Sequence, residues 1–413
     1  MQAILNEFSF VHVADVHLGY EQYNLSERRE DFERAFTEVV DKTIELKPSF
    51  MIIAGDLFHQ ARPPNLTLEV AVRNFKRLRD ANIPVLVVDG SHDAAPNVVT
   101  GTILNPLDSA GLIYYLPRHE NACWVDEYCY VYGVPNFRTR ERTERNLPEF
   151  YKAKKPSPRP DLFNIFVFHT ALDTPKITSI YPKKAVEASP DLIPDGFNYY
   201  AGGHIHVPLY APFKSGILVY GGSTETVSYE DAYAEKGFYY VEVNRSREVN
   251  LNRVKIDSPR KFKIIDRDFS GLSPHDITEL AAKIVEESDE EGAIIVPILR
   301  GSLPAESSRK EIDLAKIRGA AKKALFVHPL LFLEEKGFPE ETIRGIFESD
   351  MRDLGAKSYD YFVQFFSQRY SRQEAERRAR ISLDLIQFLV RGDEDKVREI
   401  LEGLIGDHRQ HIN

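Results

Sequence analysis

The sequence predicts an α/β protein: a two-sheet β-sandwich flanked by helices, then a small α/β domain, then C-terminal helices. Three observations predict it. Apolar runs at residues 8–14, 50–54, 84–88, 164–168 and 199–201 are too short for helices, and each stops at a turn of glycine or polar residues. Helical periods separate the first three: Phe32, Phe36, Val39, Val40 and Ile44 within residues 27–47, then the amphipathic residues 66–78, which makes β-α-β units and a parallel sheet. Beyond residue 259 the pattern becomes a short alternation of strand and helix, and beyond residue 371 it is helical alone.

In chain order, the strand over residues 8–14 leads into Asp15-Val16-His17-Leu18-Gly19-Tyr20. Asp15 and His17, at i and i+2, point the same way in a strand or tight turn, so they can serve one cation or act as hydrogen-bonded turn residues. Residues 50–54 suit a strand buried on both faces. Gly55 then lets the backbone turn closely so that Asp56 projects from the carboxyl edge, where open sheets hold ligands; an Asp capping a strand-to-helix turn is the plain alternative. His59 follows three residues on. The strand over residues 84–88 ends in Asp89-Gly90-Ser91-His92-Asp93, that over 164–168 in His169, and that over 199–201 in Gly202-Gly203-His204-Ile205-His206. Residues 216–220 and 237–243 read as closing strands of a second sheet, which ends a first domain at residues 1–259. A second domain, 260–336, reads as strand, helix (274–287), strand (293–299), helix (309–323), strand (324–333). In the final segment, 337–413, Ser371-Arg372-Gln373-Glu374 fits a capping box before a helix carrying Ala379, Leu383, Ile386 and Val390. Gly392 breaks that helix. A second helix from Glu394 repeats apolar residues at Val397, Ile400, Leu401, Leu404 and Ile405, and the stripe buries either on its own domain or on a partner.

Composition narrows the function. With 413 residues, 43% hydrophobic, the chain is long enough for two or three domains with cores. Its apolar runs fall short of the roughly 20 residues of a membrane-spanning helix, and the start, Met-Gln-Ala-Ile-Leu-Asn-Glu, lacks a basic flank, so a cytoplasmic, non-membrane protein is expected. Cys123 and Cys129 are expected to be free thiols. A net charge of −10 argues against a broad nucleic-acid-binding surface. One window reverses the sign: residues 138–159 hold eight basic and three acidic side chains. Arg138, Arg140, Arg142 and Arg145 there are either phosphate contacts or the solvated face of a helix before a proline-rich loop.

The strand ends carry the chemistry. Of 12 histidines, His17, His59, His92, His169, His204 and His206 sit within a few residues of a strand end, beside Asp15, Asp56 and Asp93. Scattered core histidines would not cluster so. Two divalent cations about 3.5–4 Å apart can share a carboxylate and a water, lower that water's pKa, and stabilise both oxygens of an in-line displacement at phosphorus. Mixed Asp and His donors suit Mn²⁺, Fe²⁺ or Zn²⁺ better than Mg²⁺. Phosphoester hydrolysis is the expected reaction.

The order Asp-x-His, Gly-Asp, Gly-x-His-Asp, His and Gly-His-x-His resembles the calcineurin-like metallophosphoesterases. Asp15 to Tyr20, Ala54-Gly55-Asp56-Leu57-Phe58-His59 and Gly222-Ser223-Thr224-Glu225 are similar to one branch, the SbcD-type DNA double-strand-break repair nucleases that work with a coiled-coil ABC-type ATPase. The motifs cover residues 8–230; beyond them the resemblance rests on domain order. It implies two Mn²⁺ per subunit, one held by Asp15, His17, Asp56 and His206, with Asp56 bridging to a second held by His169 and His204. It further implies His92 as the group that stabilises the transition state or protonates the leaving oxygen, Asp93 as its orienting partner, and His59 as a steering residue. The implied activity is 3′ to 5′ exonuclease on duplex DNA with endonuclease action on single strands or hairpins. At Ser91 the chain departs from the family, which has a ligating Asn there; the shorter hydroxyl implies a weakened second metal and impaired cleavage. The resemblance also implies that 260–336 is a capping domain that helps hold DNA, or a structural lid, and that the helices of 371–413 dock on the ATPase through Leu383, Ile386, Val397, Ile400, Leu401 and Leu404. Helices at 66–78 and 98–110 would form a homodimer contact. Two other functions fit the same motifs: a DNA-end-binding scaffold that regulates the ATPase, and a phosphoesterase for small substrates or phosphoproteins.

Overall fold

The computed structural model describes residues 7–95, 101–180, 186–304, 307–335, 359, 362–363, 365–367, 370–391, 396–398 and 400. The chain first lays down β1 (Phe8–Val13), β2 (Phe50–Ala54), β3 (Val85–Val88) and β4 (Tyr114–Tyr115), parallel neighbours in that order. Helices α1 (Ser26–Leu46) and α2 (Asn65–Asp80) make the crossovers. It then builds a second six-stranded sheet from β5 (Cys123–Val125), β6 (Cys129–Gly133), β7 (Phe163–His169), β8 (Tyr199–Gly203), β9 (Leu209–Phe213) and β10 (Gly216–Tyr220), in the order β5-β6-β7-β8-β10-β9. Finally it returns to the first sheet with β11 (Gly237–Val243) and β12 (Val249–Lys255), β11 running antiparallel to β1 with Phe10 opposite Val241. The sequence places β11 in the second sheet, and this is corrected here: alternation in Phe238 to Val243 marks a strand but not which edge it joins.

Period-two alternation sorts each strand between two layers. Met51 and Ile53 of β2 pack with Phe36, Val39 and Phe75 of the helices, whereas Phe50, Ile52 and Ala54 meet Val131, Ile165, Val167 and Ala201 of the other sheet. That is why residues 50–54 read as apolar throughout. The outer face of the second sheet is aromatic, with Tyr132, Phe166, Phe168, Phe197, Tyr200 and Tyr220 in one cluster.

Residues 1–267, 278–299 and 314–330 form one compact unit and the rest of the chain another. In the first lie β13 (Phe262–Asp268) up to residue 267, β14 (Ile294–Ser302) up to 299, and β15 (Phe326–Val327), in that order in a small sheet. The strand expected over 324–333 is split at Pro329, which has no N–H for a ladder, into Phe326–Val327 and Leu330–Glu334. The helix expected over 309–323 is a 3₁₀ turn, Arg309–Glu311, closed by a Ser308/Glu311 capping box, followed by the short helix Leu314–Gly319. In the second unit Ser371 caps helix Arg372–Arg391 by accepting the Glu374 N–H. Leu383 and Val397 are partly buried there, as is Ile400, while the side chain of Ile386 and residues 401–413, with Leu401 and Leu404, lie outside the described residues. Of the helix expected at 98–110, residues 101–110 are described, and only Leu104–Ser109 is helical. Both cysteines are free thiols. No helix among the described residues is long and apolar enough to cross a membrane.

One buried titratable group makes the sandwich pH-sensitive. His12 of β1 is fully buried with Nδ1 2.9 Å from the Tyr199 hydroxyl. Burial first, opposed by the Gly202 carbonyl and aided by Arg253, lowers its pKa to about 3. A lowered histidine pKa leaves stability intact above about 6.5 and removes it as pH falls towards 3, by up to ~1.4 kcal/mol per pH unit. His12→Gln should therefore unfold less steeply than the parent chain between pH 6.5 and 4 in denaturant titrations; parallel pH profiles would contradict this.

Candidate metal centre

Five parallel strands end at one edge of the sandwich. Asp15 and His17 follow β1, Asp56 follows β2, Ser91 to Asp93 follow β3, His169 closes β7, and His204 and His206 follow β8. The turns that deliver them are strained. Asp15 (φ 53°), His17 (φ 50°), Asp56 (φ 49°) and His204 (φ 85°) all sit in the left-handed region, each costing about 1 kcal/mol or more. Two glycines permit the convergence. A Cβ on Gly55 would stand 2.3 Å from His169 Nδ1, and one on Gly203 would stand 1.9 Å from the Ala54 carbonyl oxygen, so β2 could not approach the ends of β7 and β8.

The donor atoms crowd one point. His169 Nε2 lies 3.2 Å from Asp56 Oδ2 and 3.9 Å from Asp15 Oδ1. His206 Nε2 lies 3.9 Å from the same Asp15 oxygen and 3.4 Å from His17 Nε2, which is 3.8 Å from Asp56 Oδ2. Asp15 with His17 and His206, and Asp15 with Asp56 and His169, each gather their donor atoms within 4.8 Å, as do His17, His59 and His92. His169 Nδ1 faces the Ala54 carbonyl at 2.9 Å, which directs Nε2 inward. That Nε2 is buried without a hydrogen-bond partner despite its nearness to Asp56. An orphaned imidazole nitrogen between two buried carboxylates is what a divalent cation would satisfy, and the mixed nitrogen and oxygen set fits a transition metal.

The carboxylates and imidazoles also set one another's charge. Burial opposes a charged His169, but Asp56 and Asp15 outweigh it and push its pKa up to about 10. Burial raises Asp15 despite His169 and His206, whereas Asp56, though burial works against its charge, is held well below the usual carboxylate range by His169 and His17. Burial, then His169, lowers His204 to about 3, leaving a neutral, metal-competent ring.

The other expected residues divide. The Ser91 hydroxyl donates to Asp56 Oδ2 at 3.3 Å, and the His92 N–H donates to Asp56 Oδ1 at 2.8 Å. His59 stacks between Tyr20 (centroids 3.7 Å apart) and His92 (4.6 Å), with Nδ1 3.3 Å from His17 Nδ1. The expectation that Asp93 orients His92 is corrected. Asp93 accepts the N–H groups of Leu57, Phe58 and Gly90, tying the β2 and β3 turns together, and His92 Nδ1 is met by the His59 carbonyl at 3.0 Å. Burial, then Asp56, raises Asp93 to about 7. His204 donates its N–H to both Asp15 oxygens and turns Nε2 towards Glu187 at 3.8 Å.

Among the arginines, Arg138 is half-buried at φ 68° and bonds the Ala94 carbonyl, which braces the His92 turn. Arg140, Arg142 and Arg145 are exposed on helix Arg140–Ala153, Arg140 paired with Glu144 and Arg145 against Asn146. Sequence reasoning missed Glu187, Asp231 and Asn136, whose amide bonds the His169 carbonyl. Only Asp231 leaves a trace, the Ser228-x-x-Asp231 spacing of a capping box.

Comparison with known proteins agrees with this geometry. Residues 8–208 match the family model for calcineurin-like phosphoesterase. The chain is 31% identical over 271 residues to the DNA double-strand break repair protein Mre11 of Methanococcus maripaludis, covering 62% of this chain and 69% of that protein. It is 30% identical to that of Archaeoglobus fulgidus, covering 81% and 77%, and 32% identical to that of Methanocaldococcus jannaschii, covering 63% and 68%.

A cation that binds only the folded site stabilises by mass action, about 2.7 kcal/mol at a hundredfold excess over Kd. Mn²⁺ should therefore raise the melting temperature of the parent chain, and Asp56→Ala should lose most of the increment. Identical melts with and without Mn²⁺ would rule out a metal centre here.

Proposed function

The chain belongs to the Mre11 family of DNA double-strand break repair proteins, a branch of the calcineurin-like phosphoesterases and a metal-dependent nuclease, and from that premise we propose how its residues divide the work. Asp15, His17, Asp56 and His206 would hold one Mn²⁺, and Asp56, His169 and His204 would hold a second. The observation that carries this is His169 Nε2, buried without a hydrogen bond and lying 3.2 Å from Asp56 and 3.9 Å from Asp15. When bound, the cations lower the pKa of a water and neutralise the phosphodiester. The chain's own residues do the rest. The Ala54 carbonyl fixes the His169 tautomer. The exposed His92 donates Nδ1–H to the His59 carbonyl, which leaves Nε2 to meet the scissile phosphate and the leaving oxygen. Stacking between Tyr20 and His92 immobilises His59 as a steering group for the strand.

The substrates in this reading are DNA ends, cut 3′ to 5′ as duplex and endonucleolytically as single strands or hairpins. The partners are a coiled-coil ABC-type ATPase, docked through the helices after Ser371, and a second copy of the chain; the setting is the cytoplasm. Arg140, Arg142 and Arg145 serve as phosphate contacts. The Ser91–Asp56 hydrogen bond supports a second reading, in which a weak second metal leaves DNA-end binding and ATPase regulation as the main role.

Three measurements test this. Linear duplex DNA should be degraded in Mn²⁺ faster than small phosphodiesters; cleavage of the latter alone would defeat the nuclease assignment. Ser91→Asn should raise Mn²⁺-dependent cleavage roughly 10-fold, since a direct amide ligand replaces a hydroxyl that is bound to Asp56. Equal rates would show that position 91 does not limit the reaction. Truncation before Ser371 should abolish ATPase binding while the nuclease domain stays folded; retained binding removes that docking role.

A further inference from the structure

His206 has a second environment, on the side away from the proposed metals. Its Nδ1 lies 3.0 Å from Asp231 Oδ2. Asp231 comes from the 3₁₀ turn Tyr229–Asp231 and is 2% exposed. An ionised carboxylate only accepts, so the proton of the neutral imidazole sits on Nδ1 and the Nε2 lone pair is left facing Asp15 and His17. The carboxylate is itself fixed. Val227 and Ser228 donate their N–H groups to its two oxygens, and Lys236 Nζ lies 3.2 Å from Oδ1. Lys236 also donates to Ser223 Oγ and to the Asp231 carbonyl, and the Ser223 N–H returns to the His206 carbonyl. The ring of contacts thus closes on His206 through both side chain and backbone.

A buried lysine and carboxylate are costly to desolvate, and an apolar pair would hold the turn as well. The direction of the contact explains the pair: it ends on the back nitrogen of a ring whose front nitrogen is a metal donor. His206 is about a quarter exposed on a loop beyond β8, so β-sheet packing alone does not fix its ring.

We propose that Asp231, held in place by Lys236, is a positioning residue that aims His206 Nε2 at the cation shared with Asp15 and His17 and makes that site the tighter of the two. This rests on the metal-centre reading above. Loss of such an outer partner lowers metal affinity 10–100-fold.

The test is Mn²⁺ binding to the full chain, followed by the electron paramagnetic resonance of free Mn²⁺ and by calorimetry, with circular dichroism to confirm folding. Asp231→Ala should weaken one class of site by about 10–100-fold and leave the other unchanged. Asp231→Asn, whose amide oxygen still accepts Nδ1–H, should lose less. In a His206→Ala background, adding Asp231→Ala should cause no further loss. A folded Asp231→Ala with parental affinity at both sites, or an equal further loss without His206, overturns the proposal. If Asp231→Ala does not fold, Lys236→Met decides: a weakened single class supports the proposal, and parental affinity overturns it. A parent chain that takes up no Mn²⁺ overturns the metal reading and this inference together, whereas parental uptake unaffected by Asp231 overturns this inference alone.

Discussion

Two carboxylates share one buried imidazole. Asp15 and Asp56 are almost wholly out of water, and both lie within 4 Å of His169 Nε2. Their like charges would drive them apart in a low dielectric unless positive charge stood between them. Much of the surrounding structure serves this pairing. Three further histidines, His17, His204 and His206, present nitrogens or their backbone to the same space. Four of the residues accept left-handed backbone to get there, and Gly55 and Gly203 leave no side chain between the end of β2 and the ends of β7 and β8. A fold selected for stability alone would remove every one of these features.

The sandwich makes that concentration possible because its layers are dry and sorted. Helices cover one face of the first sheet, the second sheet covers the other, and the parallel strands all end at the same edge. Parallel order is decisive, since an antiparallel neighbour would send its turn to the opposite edge. β11 shows this by exception: it runs antiparallel to β1 and contributes no metal donor.

Much of this was legible in the sequence because strand ends announce themselves. A buried strand is a short apolar run, so the first polar residue after it marks the edge, and Asp15, Asp56, His169 and His204 could be read that way. What the sequence could not give was partnership across long separations. Nothing local says that β11 pairs with β1, or that Asp93 binds three backbone amides rather than its neighbour His92. Glu187 and Asp231 lie outside any metal-ligand spacing, because a residue that holds the back of a ligand is bound only to geometry. Arg138 looked like part of a basic face, yet its guanidinium turns inward to Ala94.

The loop that carries the Gly222-to-Glu225 motif has its own anchor. Arg28, fully buried in α1, donates to Gln22, Asp31, Glu225 and the Thr226 carbonyl, and Arg260 adds its own contacts to Asp31, Glu225 and the Gly292 carbonyl. Gln22 in turn donates to the Val227 carbonyl, two residues before the turn that presents Asp231. Such a network is a poor source of net stability, because desolvating its charges offsets their attraction, but losing a single partner strands a buried charge at a cost of about 3–5 kcal/mol. It therefore acts as an all-or-none clamp. The geometry around His206 follows from it: Arg28 and Gln22 hold the loop where Asp231 reaches the ring.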